Sequence, residues 1–169
     1  MIHIYTGNGK GKTTSAIGLA IRALGHSKKV CLIQFMKKNF VYGEIQFLKN
    51  IPNIDIYQFG TAELVDINNP ADIDFVEAQN GLEKAKQVLS DANYDLVILD
   101  ELNVVLYFRL LKIEQVIDII KNANKGLELV ITGRYANEKL LALADLITEM
   151  KEVRHYYKKG IKARKGIEF

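Results

Sequence analysis

The residues with the most chemical content stand near the start of the chain, in the run Tyr5-Thr6-Gly7-Asn8-Gly9-Lys10-Gly11-Lys12-Thr13-Thr14. Glycines let successive backbone N–H groups converge on an anion, and a helix that begins here adds the positive end of its dipole. Lys12 can reach phosphate oxygens, and the Thr13 hydroxyl offers a hard oxygen ligand to magnesium. A purely structural glycine turn has no need of the Lys-Thr pair, so a phosphate-binding loop is expected. Against the pattern G-x-x-x-x-G-K-[ST], Thr6 takes the place of the first glycine and Gly7 follows it. Counted from Gly7, the loop is one residue short, which leaves room for a reaction other than the phosphoryl transfer of hydrolases.

A second constellation is Tyr94-Asp95-Leu96-Val97-Ile98-Leu99-Asp100-Glu101, an apolar strand that ends in two carboxylates. Carboxylates at the C-terminal end of a parallel strand face the crevice where open α/β sheets bind ligands. Asp100 and Glu101 are therefore candidate magnesium contacts, and strand alternation predicts that only one of them is a direct ligand. The run Thr132-Gly133-Arg134 ends another apolar strand and would carry Arg134 to the same edge, where a guanidinium can grip phosphate with forked hydrogen bonds. Tyr107, Phe108, Tyr156 and Tyr157 suit either the core or the face of a flat apolar cofactor. The three histidines, His3, His26 and His155, have no metal-ligand spacing.

These residues need a scaffold that brings several strand ends to one edge. Short runs rich in Val, Ile and Tyr alternate with longer segments of helical period, the pattern of an α/β protein with a mostly parallel central sheet flanked by helices. Strands are expected near Ile2 to Thr6, Val30 to Phe35, Ile54 to Phe59, Leu96 to Asp100, Leu127 to Thr132 and Leu146 to Met150. Helices are expected at about Lys12 to Leu24, Asp72 to Ala92 and Ile113 to Asn122. The first presents Ile17, Ala20, Ile21 and Leu24 on one face, and the second begins at Asn69, Pro70 and the acidic Asp72 and Asp74.

At 169 residues and 49% hydrophobic content the chain suffices for one domain, residues 1–169, with one core. Its single cysteine, Cys31, sits in an apolar run, which excludes an internal disulfide framework and favours a reducing compartment. No apolar stretch approaches the ~20 residues of a membrane span, so a cytoplasmic protein with no membrane contact is expected. From Lys151 onward seven basic residues face Glu152 and Glu168, a net +5 against +3 for the whole chain, which leaves −2 elsewhere. Such a tail is either a solvated end or an anion-facing patch. No nucleic-acid motif accompanies it, so no nucleic-acid partner is expected.

The loop GNGKGKTT, the run VCLIQFMK, the segment YDLVILDELN, the TGR step and the ending ADLITEM…KGIEF together resemble the ATP:corrinoid adenosyltransferases, in order over nearly the whole chain. The resemblance implies a RecA-like P-loop NTPase fold, ATP as co-substrate with Mg2+, a reduced corrinoid as second substrate, an electron-donating reductase and a homodimer. It implies that Gly7, Asn8, Gly9, Lys10, Gly11, Lys12, Thr13 and Thr14 grip the triphosphate and that Arg134 steadies it. Thr13 and Glu101 would hold the metal with Asp100 beside them, and Lys12, Glu101 and Arg134 would be the catalytic set. The chain departs from the family where an aromatic segment often follows the third strand: here it is Gly60-Thr61-Ala62-Glu63-Leu64, and tryptophan is absent. A small P-loop kinase or ATPase, or a nucleotide-gated binding module, would use the same loop and is the alternative.

Overall fold

In the computed structural model, which describes residues 1–37 and 42–169, six parallel strands form one sheet. They are β1 (Ile2–Thr6), β2 (Val30–Gln34), β3 (Ile54–Gln58), β4 (Leu96–Asp100), β5 (Glu128–Thr132) and β6 (Leu146–Glu149). Their order across the sheet is β3-β2-β4-β5-β1-β6. The helices are α1 (Lys12–Gly25), α2 (Gly43–Leu48), α3 (Asp72–Ser90), α4 (Leu102–Tyr107), α5 (Ile113–Lys121) and α6 (Glu138–Leu141). A 3-10 turn at Tyr156–Lys159 begins the tail.

The central strands β2 and β4 are apolar up to their last residues, Gln34 and Asp100, because helices cover both faces, as a parallel sheet requires. Alternation divides β2 and β4: Val30, Leu32, Leu96 and Ile98 pack with Ala16, Ile17 and Ala20 of α1, while Cys31, Ile33, Val97 and Leu99 join Leu82, Ala85 and Leu89 of α3. Cys31 is wholly buried, and burial pushes its thiol up to about 12, so it is an inert core residue.

Two helix faces differ from the expectation. Ile21 stands half exposed on α1, and Phe75 and Val76 are exposed on α3. On α3 the inward positions near the start belong instead to Asp74 and Glu77, which serve backbone donors: Asp74 Oδ2 accepts from Ala71 N at 2.9 Å and Glu77 Oε2 from Gly60 N at 3.1 Å. Those bonds close the helix entry and fasten the loop after β3, so the apolar residues between them turn outward.

Parallel pairing sets the strand ends level. Gln34 lies in register with Asp100, and Tyr5 with Thr132, so the C-terminal ends of β1, β2, β4 and β5 open onto one edge. The loop between β1 and α1 crosses that edge.

Candidate active site

The loop's conformation follows from its glycines. Gly7 and Gly11 have φ of 95° and 116°, a region that side-chain-bearing residues avoid. Gly7 and Gly9 are also pressed against the end of β6: a Cβ on either would lie 2.5 or 2.7 Å from the Met150 carbonyl oxygen, to which Gly9 N donates at 2.6 Å. These two glycines thus serve close backbone packing as well as anion access. Thr6, at the place of the pattern's first glycine, accepts a long 3.4 Å bond from Ala136 N and so ties the loop to the turn after β5.

Lys12 is buried and curls over its own loop, donating to the carbonyls of Gly7 at 2.8 Å and Gly9 at 2.6 Å. Burial lowers its pKa and the nearby Arg134 lowers it further, while Glu101 and Asp100 act in the opposite direction.

The strand-end carboxylates divide their work sharply. Asp100 is fully buried, and its two oxygens accept four hydrogen bonds: from Thr13 Oγ1 at 2.8 Å and Thr132 Oγ1 at 2.6 Å on one side, from Gln34 Nε2 at 2.9 Å and Lys37 Nζ at 2.8 Å on the other. Burial pushes its carboxyl upward, but the Lys37 charge and the bonds from Lys37, Thr132 and Thr13 win, and its pKa is lowered. Lys37 responds in kind: burial pulls its pKa down, yet Asp100 and Glu101 outweigh it and hold the ammonium charged. The Lys37 Nζ also stands 3.4 Å from Thr13 Oγ1 and over the Tyr42 ring.

Glu101 lies one residue past the strand. The chain turns there into α4 through a left-handed residue, φ 65°, with Glu101 N donating to Thr132 Oγ1 at 3.0 Å. Its side chain lines the cleft above the loop, and burial together with the Asp100 charge raises its carboxyl above the ordinary range. Arg134 lines the same cleft, carried by the turn Gly133-Arg134-Tyr135. Gly133, φ 128°, packs so closely on α4 that a Cβ would lie 2.9 Å from that of Asn103.

The cleft holds about 630 Å³ and is lined by Gly9 to Thr14, Lys37, Glu101, Arg134 and His155, and by Gly166 to Phe169 of the tail. The tail is folded onto the loop. Lys10 Nζ donates to Glu168 Oε1 at 2.7 Å, to the Ile167 carbonyl at 2.8 Å and to Tyr156 OH at 3.0 Å. Glu168 also accepts from Tyr156 OH and from Arg164, and these bonds lower its carboxyl well below the usual range, Lys10 contributing most. Of the aromatics singled out in the sequence, Tyr156 braces this latch, Tyr157 is exposed, Phe108 packs on the core and Tyr107 stacks on Tyr135.

The structure therefore brings Gly9, Lys10, Gly11, Lys12, Thr13, Thr14, Glu101 and Arg134 to one cleft, with Asp100 beneath it and Gly7 and Asn8 completing the loop. Gln34 and Lys37 were not among the residues expected there. Their signal was a polar pair closing the apolar run VCLIQFMK, the same kind of signal that marked Asp100 and Glu101.

A glycine loop between the first strand and first helix, its threonine bonded to a buried aspartate at a neighbouring strand end, is consistent with the P-loop NTPase-like class of parallel α/β folds. The model of the family ATP:corrinoid adenosyltransferase BtuR/CobO/CobP matches residues 1–169. The chain is 37% identical over 166 residues to the corrinoid adenosyltransferase of Pseudomonas aeruginosa, covering 98% of this chain and 82% of that one. It is 35% identical to the corrinoid adenosyltransferase of Escherichia coli K12 over 169 residues, and 35% identical to corrinoid adenosyltransferase CobA of Salmonella typhimurium over 170. Each of those alignments spans the whole of this chain and 85% of the relative. The chain belongs to the ATP:corrinoid adenosyltransferase family, a family of transferases. Among the described residues no helix is long and apolar enough to cross a membrane.

Proposed function

We propose that this chain, as one domain of residues 1–169 in the cytoplasm, transfers the 5′-deoxyadenosyl group of ATP to the cobalt of a reduced corrinoid, in cobalamin synthesis or salvage. The cobalt(I) electron pair forms a bond to the 5′-carbon while that carbon's bond to the triphosphate oxygen breaks. The electrons leave with the triphosphate, and cobalt rises formally to cobalt(III). No proton has to move, so the site needs no general base. The observation that carries this reading is the joint arrangement of Lys12 and Arg134 in the cleft over the Thr13–Asp100 bond, in a chain whose whole length matches the family.

In this reading the loop stabilises a leaving group. Negative charge grows on the triphosphate oxygen in the transition state, and the loop amides, Lys12 and Arg134 offset it by preorganised electrostatics. The donor set also fits magnesium. Thr13 Oγ1 and the Glu101 carboxylate offer hard oxygens beside the loop, whereas Asp100, already holding four bonds, suits an outer role on the metal's waters. Among the described residues no group of three His, Cys, Asp or Glu gathers to hold a metal, so in this reading phosphate and water oxygens would have to complete the shell. The chemistry magnesium would supply is charge neutralisation on the departing triphosphate. Lys37 keeps Asp100 ionised and Thr13 oriented.

A reductase supplies the cobalt(I) electron in this scheme, and a homodimer is the proposed assembly, for which the exposed edge strand β6 with half-exposed Leu146 and Ile147 offers apolar surface. Neither a kinase or ATPase nor a nucleotide-gated module is favoured, since the family match covers the whole chain. An anaerobic assay with Mg-ATP and chemically reduced cobalamin tests the reading. ATP-dependent loss of the cobalt(I) spectrum, with formation of a light-sensitive adenosylcobalamin, is expected. ATP binding without any change in that spectrum would overturn it.

A further inference from the structure

Two tyrosines, on two elements that each supply a residue to the cleft wall, stack on each other. Tyr107 ends α4 and Tyr135 follows Arg134 in the turn after β5; their rings stack with centroids 4.1 Å apart and planes 27° from parallel, and each residue remains 48% exposed. The scaffold holds them there. Asn103 Nδ2 donates to the Gly133 carbonyl at 3.1 Å, and Gly133 packs directly on Asn103, so α4 and the turn form one unit.

The backbone under Tyr135 is unusual. Its φ is 60°, in the left-handed region where a bulky side chain is disfavoured and Gly or Asn is at ease. Strain of this kind persists where neighbouring structure enforces it, and it concentrates at ligand sites. Little core packing repays it here, since both rings are half open to solvent. Arg134, immediately before Tyr135, lines the cleft, and so does Val104, one helical turn before Tyr107. The stacked pair is thus carried by the two elements, α4 and the turn after β5, that supply Val104 and Arg134 to the cleft wall.

We propose that Tyr107 and Tyr135 are the platform on which the corrinoid macrocycle rests while its cobalt faces the nucleotide. This rests on the reading under Proposed function. A corrinoid is a broad ring system with apolar faces and an amide-bearing edge, and the cleft of about 630 Å³ must also take ATP. The macrocycle is thus left to the rim. Aromatic rings recognise such a face, and phenol hydroxyls can reach the amides at its edge. The pair are specificity-determining residues that touch the second substrate and leave the nucleotide alone.

The test uses Tyr107→Ala, Tyr135→Asn and the two Tyr→Phe variants of the full-length protein. Asn suits the left-handed backbone, so Tyr135→Asn should keep the wild-type melting temperature while removing the ring. The expected result is a rise of about tenfold in KM for cob(I)alamin in Tyr107→Ala and Tyr135→Asn, with KM for ATP within twofold. Binding of cob(II)alamin to the ATP-loaded protein, followed by its absorption spectrum, should weaken in parallel, and the Phe variants should retain most of it. Unchanged cobalamin KM and binding in folded variants would overturn the platform, and a rise in the ATP KM alone would reassign the pair to adenine. If wild-type protein neither binds nor consumes a corrinoid, the proposed function falls, and the platform falls with it.

Discussion

At the floor of the cleft Asp100 is sealed from solvent and accepts from Thr13, Thr132, Gln34 and Lys37, whereas at the mouth Glu168 accepts from Lys10, Tyr156 and Arg164 while the tail around it stays open to water. Both carboxylates are held below their usual pKa by a lysine and hydroxyl donors. Their surroundings separate them. A buried pair that loses one member leaves an uncompensated charge in a dry interior, while an exposed pair that loses one member is rescued by water and salt. The same chemistry is thus structural at the floor and adjustable at the mouth.

Asp100→Asn is the harshest way to break that contrast. It strands the Lys37 ammonium and should cost about 3–5 kcal/mol of stability, read as a lowered denaturation midpoint. The sign with pH follows from the depressed carboxyl. Its contribution is complete above the unfolded value near pH 4 and is lost as pH falls through the folded value, so acid should erase the difference between wild type and variant.

Lys12→Ala should leave the fold intact and remove at least ~3 kcal/mol of transition-state stabilisation. A folded variant that turns over within a few-fold of wild type would remove Lys12 from the mechanism.

Glu101→Gln sharpens the comparison from the other side. Its carboxyl is raised by burial and by Asp100, so its ionised form opposes folding once pH exceeds the unfolded value near ~4.3. The amide should therefore melt higher than wild type at neutral pH in the absence of ligand, while requiring more magnesium for activity. A lower melting temperature would show that Glu101 is held by favourable contacts instead.

The smallest effect belongs to the mouth. Removing Lys158 to Phe169 cuts the Glu168 latch and should weaken ATP or corrinoid affinity several-fold, about 1 kcal/mol, and the difference should shrink as salt is raised. Unchanged Michaelis constants for both substrates in a folded truncation would make the tail a solvated end after all.

The floor was far more legible in the sequence than the mouth. Apolar runs that close on a polar residue, Leu96 to Leu99 before Asp100 and Leu129 to Ile131 before Thr132, announce both a parallel sheet and the edge where its strands end, and β1 and β4 fall at the expected residues. The loop announces itself through Gly7 to Thr14. Helices α2, α4 and α6 span only four to six residues, too short for a helical period to register. Lys37 was hidden because its role depends on the register of Gln34 with Asp100, a tertiary fact. The Tyr107–Tyr135 stack and the Lys10–Glu168 latch join residues 28 and 158 positions apart, and no local pattern encodes such meetings.

That the loop grips a leaving group, and not a phosphate about to be transferred, is decided by the fate of the phosphorus. Phosphorus NMR of a reaction containing Mg-ATP and cob(I)alamin should show intact inorganic triphosphate accumulating in step with adenosylcobalamin. ADP and inorganic phosphate in its place would contradict it.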